Sequence, residues 1–318
     1  MTLKKIYKKI IKISVIIASY GFIILKLYRY NETNNIIEQF FKFDYSSLFL
    51  LTLVLLLMFA NWGIESAKWK ILIKHLEKIT FFTSLKAVLS GVTVSIFTPN
   101  RVGEFGGRIF VLKRRNRVPA IFATIVGNFS QLIITIVVGL ISLIILLIIF
   151  PEKIIKINFN SNLLIILLFI FSFLIIFIYL HLDKCLNFLI KLPYIKKIKK
   201  YIDIISSYNK RELLKILLIS FIRYFVFLTQ FYLLLLVFNV NIGIIPAFIS
   251  IGLVFLTMTG IPTITLAEIG IRGSVALFFF GMFSDEVVGI VSTSIVLWII
   301  NIAIPALIGS FIFYKFKL

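Results

Sequence analysis

The sequence predicts an all-α integral membrane protein with about six full transmembrane helices and two re-entrant helical hairpins in an inverted repeat. Three observations predict this fold. The 318-residue chain is 60% hydrophobic, whereas soluble domains average about 45–50% apolar residues. Its apolar residues form runs long enough to cross a bilayer. The basic residues, which bring the net charge to +21, cluster between these runs. A soluble globular protein is therefore excluded.

Six apolar runs supply the predicted full spans, since a spanning helix needs about 20 apolar residues. They are Ile10–Leu27, Leu48–Ile64, Ala120–Phe150, Asn162–Leu180, Leu213–Phe238 and Val287–Tyr314. The first run follows several lysines, as a signal peptide would. We expect it to remain as a span, because no clear A-x-A cleavage site follows it.

Three shorter runs, Ser84–Phe97, Gly243–Ile261 and Gly270–Phe283, supply the predicted hairpins. The first and last hold 14 residues each, and as helices they would reach only about 21 Å. We therefore expect residues 80–112 to enter the membrane from the cytoplasm and return, and residues 243–283 to do so from outside. The middle run has marginal length, which leaves a full crossing within 243–283 as the alternative.

The basic residues determine the predicted orientation. Nine full spans would place residues 113–117 and the lysine-rich loop 181–212 outside, against the positive-inside rule. With two re-entrant hairpins, 23 Lys and Arg residues lie on the cytoplasmic side and 5 lie outside. We therefore expect a multi-pass protein of the plasma (inner) membrane with both termini in the cytoplasm.

The two hairpins share a Pro followed by Glu-x-Gly-x-Arg. The corresponding pairs, each 164 residues apart, are Glu104 and Glu268, Gly106 and Gly270, and Arg108 and Arg272. Each half of the chain then consists of span, span, hairpin and span, so the second half starts on the opposite side of the membrane. The sequence thus predicts one membrane domain, built from repeats 1–150 and 151–318, in which broken helices at corresponding positions indicate a binding site.

Six charged residues are predicted at or near membrane depth, where a charge costs about 2.5–3.5 kcal/mol on insertion scales. They are Arg101, Glu104, Arg108, Arg223, Glu268 and Arg272. Their net charge of +2 favours an anionic group such as a lipid phosphate, which arginine binds through two parallel hydrogen bonds. We predict that these six residues bind substrate. The alternative is a pair of structural Glu–Arg ion pairs that hold the hairpins.

Prolines and glycines of the hairpins are predicted to act as structural hinges. They are Pro99, Gly103, Gly106, Gly107, Pro262, Gly270 and Gly273. Glycine permits tight turns and close backbone approach, and helix packing is the alternative role. The sequence Thr265-Leu-Ala-Glu268 fits a capping box, which predicts a half-helix from Thr265. Either Thr98 or Asn100 is predicted to cap the corresponding helix of the first hairpin.

The other polar and aromatic residues of the spans are interpreted as structural. We expect Glu65 and Lys68 to meet water at the end of a span, and Trp62 and Trp69 to lie at the membrane interface. Asn128 and Gln131 are expected to form hydrogen bonds between helices, and the alternative is that they extend the polar lining of the site.

Several functional classes are disfavoured. The basic clusters flank apolar runs, which indicates a membrane surface and not nucleic acid. Cys185 is the only cysteine, and the sequence contains no C-x-x-C motif, nucleophile–base pair or glycine-rich nucleotide loop. We therefore expect no metal, no cofactor and no enzymatic activity, while the oligomeric state stays undetermined.

The segment Thr98–Arg108, with its Pro-x-Arg-x-Gly-Glu core, resembles the transmembrane region of lysylphosphatidylglycerol synthase/flippase proteins. Segments 66–72 and 270–272 are similar to the same family. This resemblance covers nearly the whole chain and implies a domain that flips or handles lipids. The sequence departs from the family at Gly273, where a Glu is common, and it lacks the soluble aminoacyl-transferase domain. We therefore expect no lipid synthesis by this chain alone.

These observations predict a flippase or transporter of an anionic phospholipid or aminoacylated lipid. Its site is expected between the hairpins, with Arg108 and Arg272 binding phosphate while Glu104 and Glu268 orient them or meet a cationic headgroup. Two alternatives remain. One is a membrane-embedded accessory or component of a lipid or glycosyl transferase system, and the other is a scaffold that transports nothing.

Overall fold

The computed structural model describes residues 44–153, 161–182, 184, 204–262 and 265–314, and its regular structure in these ranges is entirely helical. The predicted all-α fold is therefore confirmed. The predicted span Ile10–Leu27 and most of the basic loop 181–212 lie outside the described residues.

Ten α-helices follow one another in the described ranges. They are α1 (Tyr45–Leu72), α2 (Phe81–Ile96), α3 (Gly103–Ile109), α4 (Arg114–Ile149), α5 (Ser161–Leu180), α6 (Lys210–Val237), α7 (Ile244–Gly260), α8 (Thr265–Phe280), α9 (Val287–Trp298) and α10 (Ile304–Tyr314). A π-helical turn, Ile299–Ala303, joins α9 to α10 in one continuous segment.

Five helical segments in the described ranges are long and apolar enough to cross a membrane. They are Tyr45–His75, Arg114–Ile149, Asn162–Leu180, Lys210–Val237 and Val287–Tyr314. They correspond to five of the six predicted long runs, so the chain is a multi-pass membrane protein.

Short helices form the two predicted hairpins. In the first hairpin, α2 has 16 residues and packs against α3, which has 7. In the second hairpin, α7 has 17 residues and packs against α8, which has 16. The longest of these helices reaches only about 26 Å, which is less than the roughly 30 Å of hydrocarbon. That each helix pair enters the membrane and returns on the same side, and from which side it does so, stays a prediction.

Each hairpin packs against the last long helix of the other half. Helix α2 lies against α10, and α7 lies against α4, while α1 and α6 pack against each other between them. A Cβ at Gly309 would lie 2.2 Å from the carbonyl oxygen of Leu89, and one at Gly139 would lie 2.5 Å from Leu256 Cβ. Glycine therefore permits the close backbone approach at both contacts.

Two tryptophans of α1 are buried in this core. Trp69 is fully buried and its indole Nε1 donates to Thr124 Oγ1 at 3.0 Å, and Trp62 is also buried. The prediction that both are interfacial anchors was wrong. Helix α1 continues about two turns beyond Ile64, and its residues Glu65, Lys68, Trp69 and Leu72 are buried against other helices there.

Candidate functional site

The turn between α2 and α3 places an arginine at the end of the first hairpin. Asn100 has φ 52° and Arg101 has φ 57°, a left-handed conformation that costs a residue with a side chain about 1–2 kcal/mol. The N-cap residue of α3 is Val102, so the prediction that Thr98 or Asn100 caps this helix was wrong. Thr98 instead accepts from the backbone N–H of Gly103, the first residue of the helix, through its Oγ1 at 2.7 Å. A Cβ at Gly103 would lie 2.5 Å from the carbonyl oxygen of Val94. This packing holds the strained turn in place.

Arg101 joins the first hairpin to the second. Its Nη2 donates to both carboxylate oxygens of Glu268 on α8, each at 2.9 Å. Arg272, one turn further along α8, donates from Nη2 to Glu268 Oε1 at 2.6 Å. The side chain of Arg101 is 38% exposed, whereas those of Glu268 and Arg272 are 6% and 15% exposed. One buried carboxylate therefore holds two arginines from different hairpins.

A second carboxylate, Glu65 on α1, lies at the centre of a buried cluster. It accepts ion pairs from Lys68 Nζ at 2.8 Å, from Arg108 Nη2 at 2.9 Å and from Arg223 Nη1 at 3.0 Å. Arg108 also pairs with Glu104 on its own helix α3. Because the three cations come from α1, α3 and α6, Glu65 connects the first hairpin to the two central helices.

The expectation that Glu65 and Lys68 meet water was wrong. Asn61, Glu65, Lys68 and Leu72 follow each other at spacings of four, three and four, which places them on one helix face, and each is at most 1% exposed. In the sequence the apolar run ends at Ile64, because charged residues follow it. The helical spacing of the polar residues was the signal that could have identified this face.

Hydroxyl and carbonyl groups of two neighbouring helices surround Lys68. Its Nζ donates to the carbonyl oxygen of Gly127 at 3.3 Å and to Ser220 Oγ at 3.4 Å. Ser220 and Ser130 share a hydrogen bond of 2.7 Å. A buried cation needs such partners, and they fix α4 and α6 around the Glu65 cluster.

Arg223 extends the polar network towards the last helical segment. Its Nε donates to Asn61 Oδ1 at 2.8 Å, and Asn61 Nδ2 donates to Asn301 Oδ1 at 3.1 Å. Its Nη1 also donates to Gln131 Oε1 at 3.4 Å, and Gln131 Nε2 donates to the backbone of α6, so the predicted interhelical role of Gln131 is confirmed. Asn301 lies in the π-helical turn Ile299–Ala303, a feature that is frequent at functional sites.

Two adjoining cavities lie among these residues. The hairpin cavity, of about 410 Å³, is lined by Asn100, Arg101, Met258, Thr259, Gly260, Ile261, Pro262, Glu268 and Arg272. The central cavity, of about 240 Å³, is lined by Trp62, Arg101, Gln131, Thr135, Arg223, Tyr224, Phe227, Phe255, Met258, Thr259, Arg272, Leu297, Asn301 and Ile302. They share Arg101, Met258, Thr259 and Arg272, so the two cavities lie on either side of these four residues.

The central cavity combines positive charge with aromatic walls. Arg101, Arg223 and Arg272 line it, and among the described residues no carboxylate does so. The Arg223 guanidinium also lies 5.4 Å from the ring centre of Trp62 and 5.2 Å from that of Phe227. Such a space can accept an anionic group joined to an apolar one.

The six predicted charged site residues belong to two ion-paired clusters that both reach the central cavity. Glu65 joins Arg108 to Arg223, Glu268 joins Arg101 to Arg272, and Arg101, Arg223 and Arg272 all line the central cavity. Glu104 and Arg108 line neither cavity, and the Arg108 side chain is only 1% exposed. The predicted Glu–Arg pairs four residues apart are both present.

Some of the predicted hinge residues lie in turns of the hairpins, and others lie inside helices. Pro99 begins the turn before α3, and Pro262 follows α7. Four of the glycines lie inside helices, namely Gly106 and Gly107 in α3 and Gly270 and Gly273 in α8. A Cβ at Gly107 would lie 2.5 Å from the Ser90 carbonyl oxygen, which indicates helix packing at this position.

A known family matches most of the chain. The model of the family described as the lysylphosphatidylglycerol synthase TM region matches residues 10–309. This match includes both hairpins and all residues of the two cavities. No curated protein matches the chain.

Proposed function

Because the chain belongs to the lysylphosphatidylglycerol synthase transmembrane-region family, we propose that it moves an anionic phospholipid, or an aminoacylated derivative of one, across the plasma membrane. The observation that carries the proposal is the central cavity, which three arginines line together with aromatic side chains. We propose a transporter and not an enzyme, so the proposal contains no chemical step.

The donors of the cavity suit a phosphate diester. Guanidinium groups present parallel N–H donors that match phosphate oxygens. Arg272 lines the cavity, and its buried Nε has no hydrogen-bond partner in the described part of the chain. Trp62, Phe227 and Phe255 supply an apolar wall for the glycerol and the upper acyl chains.

Arg108 has a different role in this proposal from the direct phosphate contact expected from sequence. It lines neither cavity and its charge is matched by Glu65 and Glu104. We assign the phosphate to Arg101, Arg223 and Arg272. Arg108 and Glu104 hold the first hairpin against α1 through Glu65.

The packing supports the inverted repeat of residues 1–150 and 151–318. Gln131 and Gly139 are eight residues apart on α4, and Asn301 and Gly309 are eight residues apart in the last segment. Gln131 contacts α6 and Asn301 contacts α1, while each glycine contacts the hairpin of the other half. Rocking of one such half against the other would expose the site alternately to each leaflet.

The orientation belongs to the same proposal. Both termini lie in the cytoplasm, and the hairpins enter from opposite sides and meet inside the membrane. The contact between Arg101 and Glu268 supports this arrangement, because it joins the end of one hairpin to the other.

A transport assay tests the proposal. The protein is reconstituted in liposomes with fluorescent phosphatidylglycerol, and the fraction that changes leaflet is measured by reduction of the dye from outside. We expect R223Q and R272Q each to slow the movement of the lipid about tenfold, because each variant loses one charge-assisted contact with the phosphate. R211Q is the matched control, since Arg211 is exposed at the start of the same helix as Arg223. If R223Q and R272Q both fold and move the lipid at the wild-type rate, the proposal is overturned.

A further inference from the structure

The two arginines that pair with Glu268 differ in their position in the chain and in their exposure to solvent. Arg272 is on the same helix, one turn away, and is 15% exposed. Arg101 comes from the other hairpin and is 38% exposed. If Arg101 leaves, Glu268 still has a cation, so separating this pair does not leave a bare buried carboxylate.

The turn that carries Arg101 is strained, whereas the helix that follows it is held by a buried ion pair. Asn100 and Arg101 are both in the left-handed region, so this part of the backbone is strained. The following helix α3 is held separately, because Arg108 is paired with Glu65 on α1. Release of Arg101 would therefore relax the turn while the rest of the first hairpin stays fixed.

The Arg101–Glu268 pair lies where the two cavities meet. Arg101 and Arg272 line both cavities, Glu268 lines only the hairpin cavity, and Arg223 lines only the central cavity. An anion in the hairpin cavity competes with Glu268 for the two shared arginines. An anion in the central cavity still contacts these two arginines. There it also meets Arg223, and it does not compete with Glu268.

We propose that the Arg101–Glu268 ion pair is a gate that the ligand itself opens. The phosphate of an anionic phospholipid takes Arg101 from Glu268, the turn of the first hairpin moves away from α8, and the phosphate passes from the hairpin cavity to the central cavity. Glu268 stays paired with Arg272 and acts as the built-in competitor of the phosphate. This inference rests on the proposed function and adds the way in which the ligand gains access to its site.

Binding measurements separate a competitor from a ligand contact. The full chain in detergent is titrated with dioctanoyl phosphatidylglycerol, and dioctanoyl phosphatidylcholine is the control lipid. We expect E268Q to raise the affinity for phosphatidylglycerol about tenfold and R101Q to lower it about tenfold. A factor of ten corresponds to the gain or loss of about one charge-assisted contact. In R101Q/E268Q the gain should be smaller than in E268Q alone, because Arg272 is then the only one of the two competed arginines that remains. E286Q, at a carboxylate outside both cavities, should bind as wild type does.

A distance measurement covers the case in which E268Q does not fold. Cys185 is the only cysteine, so C185S/F97C/I261C carries one spin label on each hairpin. We expect phosphatidylglycerol to lengthen the distance between the labels, and R101Q to lengthen it without lipid.

The outcomes distinguish the gate from the proposed function. If E268Q weakens or does not change phosphatidylglycerol binding, the gate is overturned while the proposed function stands. A label distance that neither lipid nor R101Q changes also overturns the gate. If neither the wild type nor E268Q binds phosphatidylglycerol, both proposals fail.

Discussion

Glu65 on α1 and Arg108 on α3 form a buried ion pair of 2.9 Å that attaches the first hairpin to the centre of the protein. The Glu65 carboxylate also pairs with Lys68 and Arg223. A single acidic side chain therefore offsets much of the positive charge beneath the central cavity.

This arrangement predicts a large loss of stability in E65Q. The variant leaves three buried cations with less negative charge, and breaking a buried pair costs about 3–5 kcal/mol. E104Q should cost less, about 1 kcal/mol, because Glu104 is partly exposed and has one cationic partner. Denaturant unfolding in detergent micelles measures both. Equal stability losses in the two variants would show that Glu65 is not the centre of the cluster.

Alanine substitutions at two neighbouring glycines of α3 are expected to have opposite effects on stability. G107A should destabilise the protein by about 1–3 kcal/mol through overpacking, since its Cβ would lie 2.5 Å from the Ser90 carbonyl oxygen. G106A has nothing within 4 Å of the added Cβ and should be neutral or stabilise the helix by about 0.5–1 kcal/mol. Melting temperatures of the two purified variants test this pair, and a destabilised G106A would contradict it.

Arg223 is predicted to require a guanidinium and not merely a positive charge. In R223K the charge stays, but the Nε donor to Asn61 and the planar stacking near Trp62 are lost. Lysine cannot reproduce this geometry, so the rate of lipid movement should fall about tenfold. R211K on the same helix should transport normally. Wild-type transport by R223K would mean that only the charge at this position matters.

If the two hairpins enter the membrane from opposite sides, the loops that contain residues 115 and 285 should be accessible from opposite sides. In a C185S background, R115C should react with a membrane-impermeant thiol reagent only from the cytoplasm, and D285C only from outside. Both residues are exposed. Nine full spans would place residue 115 outside instead, so labelling of R115C in intact cells would refute the proposed topology.

Hydropathy and motif spacing predict most of the fold. The five long helical segments coincide with predicted runs because a span must satisfy length and apolarity over its whole extent. The short helices of both hairpins also follow from run length. The pairing of Glu268 with Arg272 follows from their spacing of four on one helix.

Contacts between distant segments could not be predicted in this way. The Arg101–Glu268 pair depends on a left-handed turn at Asn100 and Arg101, and neither residue is a glycine that would have indicated it. Glu65 was assigned to water because a hydropathy run treats every charge as an end. Its partners Arg108 and Arg223 lie 43 and 158 positions away in the chain, and only the packing of three helices brings them together.

The lipids that remain bound through purification test the central claim most directly. Wild-type protein and R223Q/R272Q are isolated from their native membrane, and native mass spectrometry identifies the retained lipids, with R211Q as control. The account predicts enrichment of one anionic phospholipid class over the bulk membrane in wild type and R211Q, and its loss in R223Q/R272Q. A wild-type profile equal to the bulk membrane, or full enrichment in the cavity variant, would contradict it.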